Sequence, residues 1–140
     1  MYYSYNGFSK YEIMSINLEY SNQQSILTVS VQGYLTLDHV EGAILDILES
    51  NEFYHDVNTV WDIRGMHFDN IDMMFLKQVI EVQKKYAERR GGAKIAIISN
   101  YALAAPIVKL YMILSKNLRQ KYSAFSSVDE AEHWLSKEVH

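Results

Sequence analysis

Residues 91–100 read Gly-Gly-Ala-Lys-Ile-Ala-Ile-Ile-Ser-Asn, and the apolar run Ile95-Ala96-Ile97-Ile98 at their centre decides the fold. An uninterrupted apolar run this short, bounded by turn residues, suits a strand covered on both faces, as in a parallel sheet. Behind it, Gly91-Gly92 stops a helix whose stripe is Phe75, Val79, Val82 and Tyr86. Lys84, Lys85, Arg89 and Arg90 load the C-terminal end of that helix, where cations suit the dipole, and they read as a solvated face. Ahead of it, Leu103, Ile107, Leu110, Tyr111, Leu114 and Leu118 form the stripe of another helix. Pro106 is expected in its first turn, where a missing N–H costs little.

The remaining segments fit the same scheme. Residues 13–20 alternate, with Met14, Ile16, Leu18 and Tyr20 on one face, and residues 26–33 alternate with Leu27, Val29 and Val31. Period two makes each a strand, and the polar turn at 21–24 joins them as a hairpin. Thr36 is the expected N-cap of a helix carrying Leu37, Val40, Ile44 and Leu48 and ending near Ser50. Val57 to Ile63 is a third strand, ended by Arg64-Gly65, and a polar loop at 66–70 leads into the second helix with Asp69 or Asn70 as its cap. Ser123 to Ser126 is a last short strand. Ser127-Val-Asp-Glu130 is a capping box opening a helix with Val128, Ala131, Trp134 and Leu135 inward. The order is ββαβαβαβα, an α/β fold with a mainly parallel sheet and an antiparallel strand at its edge. Residues 1–11 form an aromatic-rich arm (Tyr2, Tyr3, Tyr5, Phe8, Tyr11) and residues 12–140 one domain, in keeping with a chain of 140 residues.

Composition removes whole classes of function. There is no cysteine, so there is no disulfide, thiolate zinc site or cysteine nucleophile. No secretory signal or membrane-length apolar run is present, and a cytoplasmic protein without membrane insertion is expected. Residues 1–80 hold three bases against eleven acids, whereas residues 81–121 hold nine bases against two acids. With a net charge of −4 for the whole chain, the bases read as helix surface and not as a nucleic-acid site. Separate acidic and basic areas suit a protein partner or self-association. Phosphate-loop and nucleophile-elbow motifs are missing, and no acid–base dyad is visible, so the chain is expected to be no enzyme. His67, Asp69 and Asp72 share one polar segment, but a solvated loop with a helix cap is favoured over a metal site. No metal or other cofactor is expected.

Two candidate sites remain. Ligands of α/β sheets gather beyond the C-terminal ends of parallel strands. Those ends carry Asp62, Arg64 and His67 on one strand and Ser99, Asn100 and Tyr101 on the next, a ligand- or partner-binding cluster. It is weighed against a local Asp62–Arg64 interaction with helix caps from Asn70 and Asn100. The second candidate is the apolar helix itself. Leu103, Ile107, Leu110, Tyr111 and Leu114 fill core, a homodimer interface or a pocket for a small apolar ligand.

Three segments carry a family resemblance: Val-Trp-Asp-Ile-Arg-Gly at 60–65, Ala-Lys-Ile-Ala-Ile-Ile-Ser at 93–99, and Phe-Ser-Ser-Val-Asp-Glu-Ala-Glu-His-Trp-Leu at 125–135. With the element order, they resemble the SpoIIAA-like group of STAS (sulfate transporter and anti-sigma factor antagonist) domains over residues 12–136. The resemblance implies a β–α superhelix and, in the antagonist branch, binding of an anti-sigma kinase under control of a phosphorylated Ser after the third strand. This chain has no Ser or Thr between Thr59 and Ser99, so that switch does not carry over. Asp69 or Asp72 would stand near the modified position as a fixed negative charge. A related branch, the CRAL-TRIO lipid-transfer type, implies an apolar ligand instead. The expectation is a regulatory binding domain, with small apolar or lipid-like ligand binding as the alternative.

Overall fold

In the computed structural model, residues 15–137 are described; the aromatic arm 1–11, Met14 and the last three residues lie outside them. The elements run β1 (Ser15–Ser21), β2 (Ile26–Tyr34), α1 (Leu37–Glu49), β3 (Asn58–His67), α2 (Met73–Arg90), β4 (Lys94–Ile98), α3 (Tyr101–Leu114), a 3-10 turn (Ser115–Asn117), β5 (Lys121–Phe125) and α4 (Val128–Ser136). The sheet order is β1-β2-β3-β4-β5, with β1 antiparallel to β2 and all other pairs parallel.

Alternation along the strands separates two cores. Leu27, Val29, Val31 and Ile97 meet Val40, Ile44 and Ile47 of α1, Leu76, Val79 and Ile80 of α2, and Tyr111 of α3. On the opposite face Ile26, Val60, Ala96 and Ile98 pack on Ala131 and Leu135 of α4. The unbroken apolar run at 95–98 is thereby explained, because β4 has helices on both sides. α4 does not reach β1, so Asn17 and Glu19 stay exposed, and β1 and β2 keep a clean alternation.

Caps hold the helix starts. Thr36 Oγ1 accepts from His39 N–H at 3.2 Å, and Ser127 Oγ accepts from Glu130 N–H at 3.2 Å. Asp72, not Asp69 or Asn70, caps α2 by accepting from Phe75 N–H at 2.8 Å. Asn70 instead donates to Leu35 C=O at 3.0 Å and ties the loop down. α2 ends at Gly91, whose φ of +61 falls where a side chain would be strained. Between α1 and α2, Lys85 reaches Glu41 at 2.9 Å, and the Tyr86 hydroxyl donates to the same carboxylate.

Other expectations are corrected. β3 does not end at Arg64-Gly65 but runs to His67, because β2 continues to Tyr34 and pairs with it. Gly65 fits there through its lack of a side chain: a Cβ would lie 3.0 Å from Gln32 Cγ and 3.2 Å from Val31 O. Arg90 is core, not solvated face, at 5% exposure. Pro106 lies inside α3, beyond its first turn, so the helix forgoes one internal N–H bond there. Val128, expected inward, is exposed at the first position of α4, while Ala131 and Leu135 carry the contact with the sheet.

Candidate functional site

β3 outruns β4. Their pairing ends at Asp62 opposite Ile98, and residues 63–67 continue beside β2 alone. The register between these two strands slips by one residue: Ser30 faces Asp62, but Gln32 faces Gly65. This β-bulge bends the strand and re-aims its side chains. It brings Asp62 and Arg64 together. Arg64 Nε donates to Asp62 Oδ1 at 2.9 Å and Nη2 to Oδ2 at 2.7 Å, while the Arg64 backbone N–H reaches Oδ1 at 3.2 Å. The Arg64 hydrogen bonds hold the Asp62 carboxyl below its ordinary value, against the opposing effect of partial burial, and Asp62 in turn raises Arg64. The fork is complete, so Asp62 is unsuited to accept a proton from a substrate.

The other strand-end residues do not join this pair. His67 sits opposite Tyr34 in the β2–β3 register, and their ring centroids are 4.8 Å apart. Tyr34 Oη approaches Asp69 Oδ2 at 3.5 Å. Asp72 is committed to its cap, so no hydrogen bond gathers His67, Asp69 and Asp72 around one point. Ser99 is buried, and its N–H donates to Phe125 C=O at 3.1 Å, extending the β4–β5 ladder. Asn100 is the exposed N-cap residue of α3 but makes no side-chain cap bond, contrary to the expected cap. Its carbonyl accepts from Ala104 N–H at 2.9 Å. Tyr101 opens α3.

The apolar candidate set divides. Ile107 and Tyr111 line a cleft of about 100 Å³ between the sheet and helices α2 and α3. Leu110 and Leu114 are half-buried beside it, and Leu103 is 73% exposed. Leu103 therefore leaves the inward stripe; Ala104, Val108 and Tyr111 are the residues of α3 that face the sheet. Among the other residues lining it are Trp61 and Ile63 of β3, Phe75 and Val79 of α2, Ile95 and Ile97 of β4, and Tyr122 of β5. At one point in its wall Tyr111 Oη donates to Gln83 Oε1 at 2.6 Å. Burial pushes the Tyr111 phenol well above its ordinary value and raises Tyr122 as well, so both stay neutral. The sequence argument missed Trp61, Ile63 and Tyr122 as cleft residues. The signal was present in part, since Trp61 and Ile63 share one face of a period-two strand.

No family model matches the chain, and no curated protein does. Two solved structures share its architecture. One is an uncharacterised protein of the DUF3478 family with a SpoIIAA-like fold, from Shewanella loihica PV-4. It aligns with a TM-score of 0.61 over 93% of this chain and 99% of its own, at 17% identity. This chain has a SpoIIAA-like fold. The second structure, an anti-sigma factor antagonist from Mycobacterium paratuberculosis, has a TM-score of 0.57 over 89% of this chain and 96% of its own, at 16% identity. In this SpoIIAA-like frame the exposed Arg64, Asn100 and Leu103 all belong to the C-terminal end of the parallel strands, and the cleft lies beneath α2 and α3. Among the described residues no helix is long and apolar enough to cross a membrane.

Proposed function

We propose that this chain is a non-catalytic regulatory domain that recognises a protein partner at the C-terminal end of its sheet. The observation that carries the reading is Leu103, 73% exposed in the first turn of α3, next to Asn100 with its side chain uncommitted to the cap. Together they put an apolar contact and a free amide side by side at the start of α3, a combination a partner could use. Arg64, half-exposed on β3, adds a charge at the same end of the sheet. The fold shared with an anti-sigma factor antagonist supports a regulatory role. No Ser or Thr lies between Thr59 and Ser99, so a serine switch at the start of α2 is not part of this reading. Native mass spectrometry of the chain purified gently from its host tests this. A partner of defined mass is expected with the unaltered chain and lost with Leu103→Asp or Arg64→Ala at unchanged thermal midpoint. A partner retained by both folded variants would refute the reading.

The cleft favours a second reading, a small apolar ligand held in a CRAL-TRIO-like manner. A volume near 100 Å³ suits a group about the size of a benzene ring, and a longer chain would require α2 and α3 to part. An adduct lost on denaturation, and absent from Ile107→Trp, would support it. Leu110→Trp should leave such an adduct in place, because Leu110 does not line the cleft.

A further inference from the structure

β5 is an edge strand, and among the described residues the sheet order leaves its outer side without a strand neighbour. Phe125 C=O accepts from Ser99 N–H, so the backbone of Phe125 faces β4. In a parallel ladder the N–H and C=O of one residue share a side, and successive residues alternate. Tyr122 and Ala124 therefore direct their backbone groups to the open edge. α3 and α4 stand on either side of that edge and leave a slot of about 600 Å³. Ala124 and Phe125 form its floor, Val108 and Met112 its wall on α3, and Trp134 its wall on α4. The Phe125 and Trp134 rings lie 5.7 Å apart. Lys109, His133 and Lys137 are exposed on the rims, against the single acid Glu130. Further lysines stand close by. Lys94, packed over Trp134 at 4.4 Å, has its ammonium pushed below the ordinary value first by burial and then by Lys121 and Lys137.

We propose that this slot receives an extended acidic peptide from another protein, which adds to β5 as a sixth strand. The outward backbone groups of Tyr122 and Ala124 supply the ladder. Apolar side chains of the peptide lie on Trp134 and Met112, and its carboxylates meet Lys109 and Lys137. This is strand addition, in which backbone bonds give affinity and flanking pockets give specificity. A second copy of this chain is the poorer occupant, because β5 against β5 would bring the same lysines face to face. The slot is separate from the Arg64–Leu103 surface, and the two readings stand or fall apart.

Selection of random dodecapeptides by phage display on the immobilised full-length chain tests the inference. The enriched peptides should alternate Asp or Glu with aromatic or aliphatic residues. A synthetic peptide of the enriched sequence should lose at least tenfold in affinity, by fluorescence polarisation, to the chain with Lys109→Glu and Lys137→Glu. The same loss is expected with Ala124→Pro, which removes an outward N–H without touching the β4 ladder. If that variant does not fold, the charge reversals and amide exchange on the unaltered chain decide. The Tyr122 and Ala124 amides should gain protection when peptide is added, and Arg64→Ala should leave peptide affinity unchanged. No enrichment, enriched peptides without acids, or protection confined to other elements would overturn the proposal. So would a dimer whose Tyr122 and Ala124 amides are protected before any peptide is present.

Discussion

Two arginines of this chain make opposite bargains with water. Arg64 is half-exposed and holds Asp62 in a two-pronged ion pair. Arg90 is buried, and no carboxylate among the described residues bonds it; its guanidinium donates to His55 C=O, to Val57 C=O at 3.3 Å and to Thr59 Oγ1 at 2.9 Å. Burial lowers the Arg90 pKa, with Tyr122 and Asp56 pulling the other way, yet a guanidinium remains charged under all ordinary conditions. The pair with the better geometry is the weaker contributor. Water competes for every bond Arg64 makes, whereas Arg90 and the Thr59 oxygen it bonds are shielded from water. Arg90 therefore fastens the end of α2 to the loop before β3, and Arg64 is left available for recognition at small structural cost.

The sharpest way to break this contrast is Arg90→Met. It keeps bulk but takes the Arg90 donors from His55 C=O and Thr59 Oγ1 and leaves Val57 C=O with the Thr59 hydroxyl alone, and a loss of about 3 kcal/mol is expected in urea unfolding. A loss equal to that of Arg64→Ala would erase the distinction. Thr59→Val comes next. The hydroxyl accepts from Arg90 and donates to Val57 C=O at 2.9 Å, so its removal should cost about 1–2 kcal/mol. Asp72→Ala removes the α2 cap and should cost about 1 kcal/mol by the same assay. Arg64→Ala should cost less than about 1 kcal/mol, and 1 M salt should shrink that difference while leaving the Arg90→Met effect in place.

The smallest effect is one of pH. The folded-state pKa of Asp62 is depressed, so its contribution is present above the unfolded value near ~3.9 and fades as pH falls through and below that value. Asp62→Asn should therefore be slightly less stable than the unaltered chain at pH 7, and the difference should narrow as the solution is acidified below the unfolded value. A difference that grew on acidification would show the sign to be wrong.

Much of the architecture was legible before any coordinates. The two alternating runs became β1 and β2, Thr36 and Ser127 became caps, and the apolar run at 95–98 became a strand with helices on both faces. The candidate sites were legible only in outline. Asp62 and Arg64 do meet, but as a pair that satisfies itself, while His67 turns to Tyr34 and Ser99 spends its N–H on β5. Helical spacing placed Leu103 and Tyr111 on one stripe, although the first is exposed and the second buried. Spacing states which residues share a side of a helix; the neighbours on that side determine how far the cover extends.

What the sequence determined by itself is whatever depends on residues close along the chain: strand period, helix period, caps and the order of elements. These are local because a turn of helix or a pair of strand residues already contains the geometry involved. Tertiary structure alone decided that β3 runs on to His67, that Arg90 enters the core, that a cleft remains under α2 and α3, and that β5 lies open between α3 and α4. Each of these depends on which distant residue arrives opposite, and such pairing is set by the packing of the whole sheet.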